Sequence, residues 1–175
     1  MVVSVVCPAR RPLQMTLQPM IRTTLRFAVV LSAFAMAVAS VPSTAQAQEC
    51  NVVVQSDDAL RYLPHAIEVP RTCKDFTVTL THSGRLPVLA MGHNWVLAKQ
   101  SDMAGVARTG MLAGADNHYV DPNDKRVIAH TNVIGGGQAT SVSFAVSALQ
   151  PGETYAFFCT FAGHSPLMHG SLVLQ

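Results

Sequence analysis

Late in the 175-residue sequence a thiol, an imidazole and a thioether follow one another as C-x4-H-x3-M: Cys159, His164 and Met168. They come just after the run Ala156-Phe157-Phe158, which reads as a strand entering a turn. Thiolate and thioether are soft ligands and imidazole is intermediate. A His2Cys set with a distant axial Met is the donor arrangement of a blue electron-transfer copper. One histidine is missing from the cluster, and Met91-Gly92-His93-Asn94-Trp95 is the obvious source, with His93 opening a strand-like run to Leu97. Gly92 lets backbone come close to another group, so its carbonyl is a candidate for a second weak axial donor.

Three segments carry a resemblance to a known family. Met91-Gly-His-Asn-Trp-Val-Leu, Arg126-Val-Ile-Ala-His-Thr and Phe157-Phe-Cys-Thr-Phe-x-Gly-His-Ser-x-Leu-Met resemble the azurins, bacterial type 1 copper proteins of the cupredoxin family, and the similarity runs without gaps from Gln48 to Gln175. The resemblance implies one type 1 copper ion with His93, Cys159 and His164 as strong ligands, and Met168 with the Gly92 carbonyl as long axial contacts. It further implies that the backbone N–H groups of Asn94 and Phe161 donate to the Cys159 sulfur, and that the Asn94 side chain ties the two ligand segments together. Such hydrogen bonds fix ligand orientation and tune potential. Leu60, Leu86, Met91 and Met111 would surround the same end as His164, with Leu167 contributed by the turn itself. The implied partners are redox proteins such as c-type cytochromes and periplasmic reductases. Three departures from the family pattern, Ala162 and Ser83 in place of proline and Pro166 in place of a small residue, remove no ligand.

The elements that must position these residues begin well inside the chain. Arg22 and Arg26 precede an apolar run from Phe27 to Val41, followed by Ala45-Gln46-Ala47. This is the layout of a cleavable secretory signal, and 15 residues fall short of the roughly 20 a spanning helix needs. Cleavage is expected after Ala47, so residues 1–47 form a presequence and 48–175 a single copper-binding domain in the periplasm, with no stable membrane insertion. Met1 to Pro19 shows no apolar periodicity, and Met20 is an alternative start. The mature part has 128 residues, which suits one domain with its own core. Four of the 12 basic residues leave with the presequence while all ten acidic ones remain, which changes the net charge from +2 to −2. No basic cluster remains to suggest nucleic acid.

Cys7 also leaves, so Cys50, Cys73 and Cys159 remain. In an oxidising compartment Cys50 and Cys73 are expected to pair. Cys159 is then the odd thiol, and its flanking His and Met favour a ligand over an inert core residue.

The body reads as strands at 51–56, 65–70, 74–81, 93–99, 126–131, 138–147, 153–159 and 170–175. The alternation is clear at Phe76, Val78, Leu80 and at Val142, Phe144, Val146. About eight short strands separated by turn signals predict an all-β Greek-key sandwich or barrel. Residues 101–114 carry a helical period instead and predict one short helical flap.

Rival chemistries use the same side chains. A zinc or copper-storage module could employ Cys159 and the histidines, though zinc rarely recruits Met. A thiol hydrolase could use Cys159 with His164, but no oriented third group accompanies them, and Asp102, Asp116 and Glu153 show no acid–base pairing. His82, which the resemblance places near the copper, is either a hydrogen-bonded structural residue or a proton-coupled one. His65, His118, His130 and His169 read as surface or structural, and Trp95 as a core aromatic.

Overall fold

The structure, a computed structural model, describes residues 49–175. The expected signal peptide, its cleavage point, the alternative start at Met20 and Cys7 lie outside them. Among the described residues no helix is long and apolar enough to cross a membrane.

The strands are β1 (Asn51–Ser56), β2 (Tyr62–Leu63), β3 (Ala66–Val69), β4 (Asp75–His82), β5 (Val96–Lys99), β6 (Ala129–His130), β7 (Ala139–Ala145), β8 (Tyr155–Phe158) and β9 (His169–Leu174). They form two sheets, one in the order β2-β1-β4-β7 and the other β3-β9-β8-β5-β6. The sheets face each other as an open sandwich, with most neighbouring strands antiparallel and the pairs β1·β4 and β3·β9 parallel. Between the strands lie one helical turn, α1 (Val88–Met91), and the predicted flap, α2 (Met103–Ala113).

In β4, Phe76, Val78, Leu80 and His82 point inward, and the threonines between them face solvent. On that outer face Thr77 and Thr79 share hydrogen bonds with Ser143 and Ser141 of β7 at 2.8 and 2.9 Å, cross-strand pairs that fix the register. Strand β8 does not alternate: Tyr155, Ala156, Phe157 and Phe158 are all buried. Helix α2 is the reason. Its Val106 and Ala107 pack with Val96, Ala98, Ala156 and Phe158 on the outer side of the second sheet, making a small core separate from the one between the sheets. The strand that leads into Cys159 is therefore clamped on both faces.

Trp95 is fully buried and stacks between Phe144 and Phe157, centroids 6.3 and 5.8 Å away. At the start of the first sheet Cys50 and Cys73 form the expected disulfide, with Cα atoms 5.7 Å apart. In the chain-entropy account, closing a loop of this size stabilises the fold by about 3 kcal/mol.

Candidate metal centre

Two pieces of chain bring the donors together. The first is irregular. His93 lies ahead of β5 rather than inside a strand, and it is held by a two-way bridge to Ile134, His93 N–H to the Ile134 carbonyl at 2.9 Å and the reverse bond at 2.8 Å. Its Nε2–H donates to the Asp57 carbonyl at 2.9 Å. That leaves Nδ1 buried without a hydrogen-bond partner. One nitrogen fixed by a carbonyl and the other free is how metal-binding imidazoles are oriented.

The second piece is the loop from β8 to β9. Cys159 N–H donates to the Met168 carbonyl at 3.0 Å, so the two ends of the loop lie side by side. The Met168 and Leu167 N–H groups both donate to the His164 carbonyl, and His164 N–H donates to that of Phe161. These bonds compact the loop, and the Phe161 ring packs on the His164 ring at 4.7 Å.

The donor atoms of His93, Cys159 and His164 all lie within 4.8 Å of one another, and all three residues are buried. Cys159 Sγ is 3.6 Å from His164 Nδ1 and 3.9 Å from the Gly92 carbonyl oxygen. Met168 is fully buried, with its carbonyl bonded to Cys159 N–H. A side chain at Gly92 would meet the Val88 carbonyl at 2.6 Å and the Phe161 ring at 2.8 Å, so only glycine fits against the ligand loop here.

The electrostatics follow from burial. Desolvation lowers the His93 pKa to about 4 and also lowers that of His164, keeping both rings neutral. Burial pushes the Cys159 thiol up to about 11, opposed by the Asn94 and Phe161 N–H groups and the Tyr62 hydroxyl. The metal-free cluster is therefore two neutral imidazoles and a protonated thiol. Such a set accepts a soft cation by exchanging one thiol proton for it. An orphaned Nδ1, a thiol with hydrogen-bond donors aimed at it and a dry surround all fit copper.

The His93 shift sets an acid limit on the metal-free protein. A histidine whose folded pKa lies below the unfolded one resists protonation that the unfolded chain accepts. Stability then falls as pH drops from about 6.5 towards 4. The expected loss is about 3 kcal/mol over that window. Urea midpoints of metal-free wild type at pH 7 and 4.5 will measure it, and His93→Gln should flatten most of the difference.

Around the donors, Asn94 joins the two pieces: its Oδ1 accepts from Thr160 N–H at 2.9 Å and its Nδ2 donates to Thr160 Oγ1 at 2.7 Å. The His82 ring is fully buried against His93, centroids 4.4 Å apart, with Nε2 3.2 Å from Asp58 Oδ1. Sequence reasoning does not reach Asp57, Tyr62 or Thr160. Asp57 acts through a backbone carbonyl, and the Tyr62 hydroxyl donates to the Asn94 carbonyl from a two-residue strand with no pattern to reveal it.

Comparison with known proteins agrees with this geometry. The family model described as copper binding proteins, plastocyanin/azurin family, matches residues 48–175. The chain is 54% identical over 127 residues to an azurin of Pseudomonas chlororaphis, covering 73% of this chain and 99% of that one. It is 53% identical over 129 residues to the azurin of Pseudomonas aeruginosa, covering 74% and 87%. A solved azurin, Az-iso2 of Methylomonas sp. strain J, superposes with a TM-score of 0.71 at 50% identity, covering 73% of this chain and 99% of that one. A family match that spans both ligand segments, the shared two-sheet fold and the buried His-Cys-His cluster lead to one conclusion: the chain belongs to the plastocyanin/azurin family of copper-binding proteins.

Proposed function

We propose that this protein is a periplasmic electron shuttle whose copper is held by His93, Cys159 and His164, with the Met168 thioether and the Gly92 carbonyl as weak axial donors. The observation that carries the reading is the buried convergence of one thiol and two neutral imidazoles within 4.8 Å. Copper bound there supplies a one-electron couple between Cu(II) and Cu(I). The chain's own part is to hold its donors still and dry. Asn94 and Phe161 aim N–H groups at the thiolate, the Asp57 carbonyl fixes the His93 ring, and the loop's own hydrogen bonds keep Cys159 and Met168 adjacent.

Electrons would pass at the edge of His164, which is 6% exposed. Leu86, Met111 and Leu167 are exposed, while Leu60 and Met91 are half-buried, and together they form the apolar docking patch of the proposal. The sequence reading overlooked the two most exposed large apolar residues on α1 and α2, Leu89 at 83% and Leu112 at 76%. Both sit in apolar runs, Val88-Leu89-Ala90-Met91 and Met111-Leu112-Ala113, that were visible as such. Exposed apolar surface of this kind marks an interaction site. Arg61, which follows Leu60, adds little net charge, because its guanidinium forks onto Asp57 at 2.5 and 2.8 Å. The partners are redox proteins such as c-type cytochromes and periplasmic reductases that present an apolar face of their own. A signal peptide cleaved after Ala47 would deliver the domain 48–175 to them.

The direct test is to add Cu(II) to the metal-free protein and record visible and EPR spectra. An intense blue band with narrow copper hyperfine splitting is expected, and a colourless product would overturn the reading. The axial role is tested separately. A weak thioether does little to stabilise Cu(II), so Met168→Leu should keep the colour and raise the potential, and Met168→Gln, with a harder oxygen, should lower it. Unchanged potentials in both variants would make Met168 a core residue only.

A further inference from the structure

The turn that follows flap helix α2 reaches into the thiolate loop through a closed hydrogen-bond network. Asn94 Nδ2 donates to the His118 carbonyl at 2.8 Å as well as to Thr160 Oγ1 at 2.7 Å. The Thr160 hydroxyl, so occupied as an acceptor, donates in turn to the Tyr119 carbonyl at 2.5 Å. Thr160 N–H donates to Asn94 Oδ1. Both amide hydrogens of Asn94 and the hydroxyl hydrogen of Thr160 are thus used, in a site where Asn94 is fully buried and Thr160 is 1% exposed. Networks satisfied in this way rigidify what they join.

The two carbonyls come from an unusual stretch of backbone. His118 and Tyr119 both have positive φ, 52° and 58°, in the left-handed region that a bulky residue seldom occupies. Their own N–H groups return to Ala115 and Gly114 at 2.9 Å, which holds the turn in that shape. Helix α2 presses on the same spot. A Cβ at Gly110 would stand 2.3 Å from the Tyr119 carbonyl oxygen and 3.0 Å from Thr160 Cβ. A helix-interior glycine lowers helix stability relative to alanine, so its presence here marks a close approach that nothing larger permits.

We propose that the flap is a positioning device for the copper thiolate. Gly110 lets α2 seat the strained 118–119 turn, whose two carbonyls orient Asn94 and Thr160 and so fix the Cys159 loop. Thr160 is then a positioning residue although it touches no donor atom. Strained backbone persists where the surroundings over-determine it, and functional sites are where it collects. The copper part of this inference rests on the proposed function, while the coupling of flap to loop stands on the metal-free geometry alone.

The test uses Thr160→Val, which keeps shape and deletes the hydroxyl, Thr160→Ser, which restores it, Gly110→Ala, and Gly105→Ala as a control. Gly105 lies in the same helix, and its added Cβ would meet the Arg126 guanidinium, which pairs with Asp124, instead of the Tyr119 carbonyl and Thr160 that Gly110 faces. In the metal-free protein the residue-160 amide should exchange with solvent roughly tenfold faster in Thr160→Val than in wild type, and at the wild-type rate in Thr160→Ser and Gly105→Ala. In the loaded protein, Cu(II) affinity by chelator competition should fall by about 10–100-fold in Thr160→Val and Gly110→Ala. A shifted thiolate-to-copper band and hyperfine splitting should accompany the fall, with both properties retained in the serine variant and the control. If Gly110→Ala fails to fold, Thr160→Val decides alone. Unchanged amide exchange in Thr160→Val would overturn the coupling, and faster exchange with unchanged affinity and spectra would overturn the role toward the thiolate. A wild type that fails to turn blue would instead overturn the copper reading and leave the exchange result to judge the flap.

Discussion

Cys159→Ser should abolish the blue colour altogether, and it is the largest single effect expected of any substitution in this protein. The intense absorption of such a site comes from a covalent copper–thiolate bond, and serine offers a hard hydroxyl that is far less willing to ionise. The structure sharpens the expectation. Cys159 has no exposed surface, and the Asn94 and Phe161 N–H groups that face it are arranged to stabilise an anion. With serine those donors would face a neutral oxygen. Any Cu(II) still held by His93 and His164 should then show a weak visible spectrum and a wide hyperfine splitting. The fold should change little, because serine is smaller and Cys159 N–H keeps its bond to the Met168 carbonyl. Far-UV circular dichroism beside the copper spectra separates the two effects. A Cys159→Ser protein that stays blue would remove the thiolate from the mechanism.

The second large effect is kinetic and leaves the site itself intact. Leu167→Lys should slow electron self-exchange by about tenfold or more, and Leu86→Asp should slow partner reduction similarly, since like or unpaired charges facing each other across a contact cost several kcal/mol. In self-exchange the same patch meets itself, so each added charge acts twice. Leu167 is 70% exposed and Leu86 41% exposed, so neither substitution disturbs the core, and colour and potential should stay near wild type. Stopped-flow and NMR exchange measurements at matched ionic strength will show it. Equal rates in wild type and both variants would mean that electrons use another route.

The ligand loop was legible because its three donors lie within ten residues of one another, where spacing alone reports chemistry. Strands with one solvated face, such as β4 and β7, were legible for the same local reason. What escaped depends on contacts between distant segments. His93 was read as opening a strand, yet it is held by a single bridge to Ile134, with β5 beginning only at Val96. The all-buried pattern of β8 reflects α2 lying across it, which no property of Tyr155 to Phe158 announces. Helix α1 buries no residue, so it lacks the apolar periodicity by which helices are recognised. The left-handed pair His118 and Tyr119 is invisible for a further reason: histidine enters that region more readily than most residues but tyrosine does not, and the surroundings impose the pair.

The parallel pairing of β3 with β9 bears on how the molecule comes into being. Ala66 meets Ser171, 105 residues further along, and β9 in turn completes the neighbour of β8. The chain supplies β3 long before its partner, so the second sheet cannot close until β9 is available. Contacts of such long range make for slow folding. Met168 sits one residue ahead of β9, so the strand that joins β3 to β8 is also the one that carries the end of the ligand loop into place. Assembly of the sandwich and assembly of the cage are then one event, since neither is complete before β9 has docked.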